Sequence, residues 1–130
     1  MNLKYGVYYA YGNHDEGYFN HRDFTADDLD NNLIKNGVHI LEDEYHLIDN
    51  NFYLVGRLDK NIDGDTRKSM DELLKDIPDD KYIIVMDHEP NDYEAESNSK
   101  ADFVVSGHTH AGQMIPIRHV GVLVGANDAT

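Results

Sequence analysis

The apolar residues of this chain fall into short runs that end in polar motifs, a pattern typical of the strands of an open α/β sheet. Residues 5–11 are rich in Tyr and Val and stop at Gly12, which predicts a buried strand leading into a loop. Residues 82–86 are apolar without alternation, as expected for a strand covered on both faces. Residues 103–105 repeat this arrangement. We therefore predict three strands, each followed directly by a polar motif.

Apolar side chains at helical spacing predict two helices between these strands. In the first helix Thr25 is a suitable N-cap and Gly37 a suitable end. The second helix is predicted over residues 67–77, where apolar side chains share one face and Pro78 ends the pattern. Residues 38–55 alternate short apolar runs with polar residues, which is typical of an antiparallel meander. The whole pattern predicts an α/β fold.

Length and composition restrict this picture to one globular domain over residues 1–130, because a chain of 130 residues can bury one core but not two. Its 25 acidic and 11 basic side chains give a formal charge of −14, so binding to a nucleic-acid backbone is not expected. No apolar stretch approaches the ~18 residues needed to span a bilayer. Localisation stays open between a cytoplasmic protein, the default, and part of a membrane-anchored parent.

Residues able to bind a metal follow each predicted strand. Asn13 and His14 follow the first, His88 follows the second, and His108 and His110 follow the third. Open α/β sheets place ligand sites at the carboxyl ends of their strands, so these side chains are expected to converge. Cysteine is absent, and imidazole and amide ligands favour manganese, iron or zinc over calcium or magnesium alone.

Each of these motifs also has an interpretation without a metal. The two histidines of the third motif could be solvated loop residues, and Gly12 with Asn13 could form an ordinary turn. It is the combination of three motifs that favours a metal site. His39 and His46 alternate with apolar neighbours in predicted strands, which favours outward positions without a role.

The motifs occur in the order found in one known family. They are YGNHD at residues 11–15, the histidine at position 88, and SGHTHAGQ at residues 106–113. Together they resemble the calcineurin-like metallophosphoesterases, and most closely the bacterial branch. The resemblance spans nearly the whole chain and implies an incomplete calcineurin-like β-sandwich flanked by helices.

The resemblance also implies roles for the site residues. Asn13, His88 and His108 would bind one metal, His110 would bind the other, and His14 would protonate the leaving group. A hydroxide bridging the two metals would attack phosphorus in line. Two cations ~3.5 to 4 Å apart lower the pKa of the bridging water and neutralise charge on the phosphoryl oxygens. Bound cations would also let so acidic a protein hold an anionic phosphoester.

The chain departs from the family pattern at its start. Family members carry an Asp-x-His and a Gly-Asp motif before the GNHD strand, whereas here that strand comes first. We expect a domain truncated at the N-terminus and also at the C-terminus, with one metal or none instead of two. Unpaired sheet edges would then favour a homo-oligomer. The alternative hypothesis is a non-catalytic metal-binding or interaction module derived from such an enzyme. Mono-, di- and pyrophosphate esters all remain open as substrates.

Overall fold

Six strands and four helices form the part of the chain that the computed structural model describes, which is residues 3–16, 22–60 and 66–108. In chain order they are β1 (Val7–Tyr9), α1 (Asn13–Glu16), α2 (Ala26–Lys35), β2 (Val38–Ile40), β3 (Glu44–Ile48), β4 (Phe52–Gly56), α3 (Met70–Leu74), β5 (Tyr82–Met86), a 3-10 turn (Pro90–Asp92), α4 (Tyr93–Ser97) and β6 (Phe103–Val105). The predicted α/β class is confirmed. No helix among these residues is long and apolar enough to cross a membrane.

The described strands form two sheets. The larger has the order β3-β4-β5-β6, in which β3 and β4 are antiparallel and the other pairs are parallel. The smaller consists of β1 and β2 in parallel. The prediction of one antiparallel meander over residues 38–55 is therefore wrong for β2. The reason is that the helix α2 connects β1 to β2, so β2 lies alongside β1 and runs in the same direction.

The core lies between the larger sheet and α3. One face of the sheet is buried against the apolar side of this helix; the cluster consists of Val55, Met70, Leu73, Leu74, Ile77, Ile83 and Val85. The helix begins after Ser69, whose hydroxyl accepts a hydrogen bond from Glu72 N at 3.2 Å. It is shorter than the predicted span of residues 67–77, although Ile77 is buried just beyond its end.

The opposite face of the larger sheet is less covered. Tyr82 is 51% exposed, and Ile84 and Met86 on the same face of β5 are half-buried. Among the described residues only the α3 side provides β5 with a continuous apolar layer, and the prediction that its other face is also covered stays a prediction. The first predicted strand is shorter than expected, and Val7 in it is exposed.

The helix α2 follows its sequence prediction closely. The Thr25 hydroxyl accepts a hydrogen bond from Asp28 N at 3.2 Å, and the Asp28 carboxylate accepts one from Thr25 N at 3.0 Å, so the two residues form a capping box. These bonds from the backbone and hydroxyl of Thr25 lower the pKa of Asp28. Gly37 has a φ of 77° directly after the helix, a conformation that glycine adopts without strain.

The two sheets meet where the backbone of Gly56 approaches Leu41. A Cβ atom on Gly56 would lie 2.4 Å from the Leu41 Cβ atom, so only glycine fits there. Beside this contact the ring of Tyr8 stacks on His39 at 5.1 Å between centroids and contacts His46 at 5.3 Å. Both histidines are exposed, as predicted. The small sheet is thereby fixed against the β3–β4 hairpin.

Candidate functional site

The segments that follow β1, β5 and β6 bring three of the predicted site residues together. Nε2 of His88 lies 3.0 Å from Oδ1 of Asn13 and 3.1 Å from Nδ1 of His108. The two imidazole rings meet edge to face, with centroids 5.0 Å apart. Residues far apart along the chain thus present an amide and two imidazoles to one another, as the order of strands and motifs predicts.

The other two predicted residues are His14 and His110. His14 lies in α1 next to Asn13 and is exposed. His110 lies outside the described residues. The structure therefore describes the surroundings of His14, the predicted proton donor. It does not describe His110, the predicted ligand of a second metal.

Gly12 allows the first motif to approach His88. A Cβ atom at this position would lie 2.7 Å from both Cε1 and Nδ1 of the His88 ring, so any side chain would displace that ring. The turn is held by Asp15, whose backbone N–H donates to the Gly12 carbonyl at 2.8 Å and whose carboxylate accepts from Gly12 N at 3.0 Å. Asn13 is fixed between these two residues at the start of α1.

Main-chain hydrogen bonds join the two loops that carry the histidines. The carbonyl oxygen of His88 accepts hydrogen bonds from Gly107 N at 3.2 Å and from His108 N at 3.0 Å. One residue earlier, Asp87 N donates to the Val105 carbonyl at 3.1 Å. The parallel pairing of β5 and β6 therefore continues past the strand ends and sets the separation of the two rings.

The two contacts of His88 have the spacing expected of neighbouring ligands of one cation. Neighbouring ligands of an octahedral ion bound at about 2.1 Å lie about 3.0 Å apart, and the two observed contacts of His88 are 3.0 and 3.1 Å. A ring nitrogen offers either one proton or one lone pair, so Nε2 of His88 can satisfy only one of its two neighbours by hydrogen bonding. A cation would accept a lone pair from each. The set depends on the amide of Asn13, because the described residues contain no group of three or more His, Cys, Asp or Glu placed to hold a metal.

Comparison with known families gives a match over the region that contains these residues. A family model described as calcineurin-like phosphoesterase matches residues 1–112. The chain belongs to the calcineurin-like phosphoesterase family. Its described α/β fold, with a four-stranded mixed sheet, agrees with the incomplete calcineurin-like fold expected from the motifs. Members are phosphoester hydrolases that generally use divalent metals. No curated protein and no solved structure matches the chain significantly.

The environment of the His88 imidazole favours its neutral form. Its pKa is lowered first by burial and then by the neighbouring His108, while Asp59, Glu89 and Asp15 act in the opposite direction. A lowered pKa keeps the ring neutral at pH 7, which is the form that donates a lone pair to a metal.

A buried ionic cluster surrounds Asp87, the residue directly before His88. Nη1 of Arg57 lies 3.1 Å from Asp87, 2.9 Å from Asp92 and 3.3 Å from Glu96. Arg67 also pairs with Asp87. The sequence interpretation did not identify this cluster, since its members are as far as 39 positions apart. The acidic residues on both sides of His88, Asp87 and Glu89, are the one sign of the cluster in the sequence.

Within this cluster the pKa of Glu96 is raised. Burial and the neighbouring Asp87 carboxylate raise its pKa to about 7, and the guanidinium of Arg57 only partly opposes them. Arg57 and Arg67, with Lys60 at 2.8 Å from Asp92, thus face three acids, of which Glu96 is partly protonated at neutral pH. The cluster fixes α4 to the end of β5, directly before His88.

Proposed function

We propose that this chain carries part of the catalytic site of a metal-dependent phosphoester hydrolase, in which Asn13, His88 and His108 hold one divalent metal. The observation that supports it best is the pair of contacts made by Nε2 of His88, at 3.0 Å to the Asn13 amide and 3.1 Å to His108. Manganese, iron and zinc suit this set of one amide oxygen and two imidazoles.

The remaining predicted residues take the roles that the family motifs imply. His110 contributes to a second metal of a dinuclear centre. When bound, the metals activate water and neutralise charge on the phosphoryl group. His14 then donates a proton to the departing oxygen. Its exposed position beside Asn13 supports this role, because a leaving group that departs into solvent passes such a residue.

The first test measures metal binding and turnover together. The purified protein is supplied with Mn²⁺ and assayed with a chromogenic phosphomonoester and phosphodiester, alongside calorimetric titration with the metal. His88→Ala should abolish Mn²⁺ binding, since it removes the nitrogen that contacts both other ligands. His14→Ala should bind the metal normally and lose about 10²-fold or more in rate.

The matched control is His39→Ala, an exposed histidine in β2 that lies outside the site. It should bind metal and turn over like the unmodified protein. The proposal is wrong if the unmodified protein binds no Mn²⁺, Fe²⁺ or Zn²⁺, or if His88→Ala binds Mn²⁺ as tightly as the control.

A second candidate is a non-catalytic metal-binding module. It is favoured by the composition of the described ligand set, which contains no carboxylate that could bridge two ions. Such a module would bind one metal, and its rate with both chromogenic substrates would equal the rate without protein. The assay above separates the two candidates.

A further inference from the structure

A buried carboxylate lies directly beside the proposed metal ligands. Glu89 follows His88 in sequence and is 0% exposed. Its Oε1 atom lies 3.9 Å from Nδ1 of His108. Its Oε2 atom accepts a hydrogen bond from Nδ2 of Asn91 at 3.1 Å, so the orientation of the carboxylate is set by a residue of the same loop.

The two acids that flank His88 have different surroundings. Asp87 lies in the ionic cluster, where it pairs with Arg57 at 3.1 Å and also with Arg67. Glu89 lies on the side of the histidines, close to His108. The charge of Asp87 is therefore shared with two guanidinium groups, and Oε1 of Glu89 lies beside one of the proposed ligands.

A divalent cation in this site needs such a charge. Asn13, His88 and His108 are neutral as ligands, so an ion bound by them alone would keep its full double charge. Holding a charge away from water is costly unless an opposite charge lies close by. A carboxylate about 4 Å from a ligand nitrogen is near enough to offset it without bonding to the ion itself.

We propose that Glu89 is a positioning residue that acts through His108 and supplies the negative charge balancing a metal held by Asn13, His88 and His108. This inference rests on the proposed function. Glu89 is not itself a metal ligand, because with His88 and His108 it forms no group placed to hold a metal within the described residues. Its effect is on the affinity for the ion.

The test compares Mn²⁺ affinity by calorimetry in Glu89→Gln and in the unmodified protein. Glutamine has nearly the same shape and can still accept the hydrogen bond from Asn91, so only the charge is lost. The dissociation constant for Mn²⁺ should rise about tenfold or more. The control is Glu94→Gln, an exposed glutamate in α4, which should change the constant less than about twofold.

Two further variants separate a charge effect from a packing effect. Glu89→Asp keeps the charge on a shorter side chain and should restore most of the affinity lost in Glu89→Gln, which a purely structural role would not predict. Asn91→Ala removes the hydrogen bond to Glu89 at an exposed position and should weaken Mn²⁺ binding roughly threefold. Because Asn91 is at the surface, this variant gives a result even if Glu89→Gln fails to fold.

The outcomes distinguish this inference from the proposed function. If Glu89→Gln, or Asn91→Ala where the former does not fold, binds Mn²⁺ like the unmodified protein, the inference about Glu89 is wrong and the metal site stands. An equal loss in Glu94→Gln also contradicts it, since the effect would then come from overall charge. If the unmodified protein binds no metal, both proposals fall.

Discussion

At the scale of one residue, the backbone of Gly12 lies directly against the imidazole of His88. An added Cβ atom would come within 2.7 Å of two ring atoms, whereas an added Cβ on Gly107 would come no closer than 3.8 Å to Nδ1 of the same ring. A side chain at position 12 would therefore clash with the His88 ring, whereas one at position 107 would not. This difference allows a matched pair of substitutions.

Gly12→Ala should displace His88 from Asn13 and weaken Mn²⁺ binding by about tenfold or more, with a loss of roughly 1–3 kcal/mol in unfolding free energy from overpacking. Calorimetry and urea denaturation measure the two effects. Gly107→Ala should leave the affinity within about twofold, because 3.8 Å is an ordinary van der Waals contact. Equal affinities in the two variants would show that the approach of Gly12 to the ring has no role.

The site residues show which parts of the chemistry were predictable. Asn13, His88 and His108 could be placed together from sequence, because each follows an apolar strand and such strand ends meet at one edge of a sheet. The partners of Arg57 could not, because its contacts with Asp87 and Glu96 depend on the tertiary packing of segments 30 and 39 positions away. Charged residues of this kind are expected on the surface unless the fold is known.

At the scale of elements, the ends of the helix α2 could be predicted from sequence, whereas the pairing of the strands could not. The capping box between Thr25 and Asp28 and the glycine after α2 act within a few residues, so the sequence alone indicates where that helix begins and ends. The pairing of β2 with β1 instead of β3 is determined by the path of the intervening helix. A short apolar run contains no information about which neighbour it joins.

The attachment of α4 makes the stability of the fold depend on pH. Glu96 has a pKa of about 7 in the folded protein against an ordinary value of 4.5, so the folded state holds its proton more tightly than the unfolded state. The stabilisation is complete below the ordinary value and is lost as the pH rises towards 7. Asp28, with its lowered pKa, acts in the opposite direction and only at more acidic pH.

Glu96→Gln should remove this dependence, because glutamine stays uncharged throughout. Urea denaturation of the unmodified protein should show a loss of unfolding free energy between pH 5 and pH 7.5, larger than that of the variant by on the order of 2 kcal/mol. Glu94→Gln, an exposed neighbour in the same helix, should follow the unmodified protein. Parallel curves for Glu96→Gln and the unmodified protein would contradict the assignment.

At the scale of the whole molecule, the larger sheet has an apolar face that the described residues leave partly open. Tyr82 is 51% exposed, Phe103 55% and Val105 48%, and the register of β5 and β6 places them on the same side as Ile84 and Met86. Adjacent apolar side chains of this size usually mark a contact surface. We propose that the chain forms one domain that associates with a second copy through this face of the sheet.

Phe103→Ser should weaken that association, because it removes the most exposed of the three apolar side chains. In sedimentation velocity, the dimer fraction of the unmodified protein should increase with protein concentration. The variant should stay closer to the monomer mass at the same concentrations. Tyr93→Ser is the control, since Tyr93 is exposed to 43% but lies in α4 and not on the sheet. A purely monomeric unmodified protein at all concentrations would contradict the proposal.

The carbonyl of His88 receives two amide protons, from Gly107 and His108, and this has a consequence for the order of events at the site. These main-chain hydrogen bonds hold the two histidine-bearing loops together, so the proposed metal would find two of its ligands already in place. Little conformational entropy of the loops would then be lost on metal binding, which favours both a high affinity and fast association. The arrangement of the two loops would then not depend on the metal, and removing a bound metal should leave their main-chain hydrogen bonds intact.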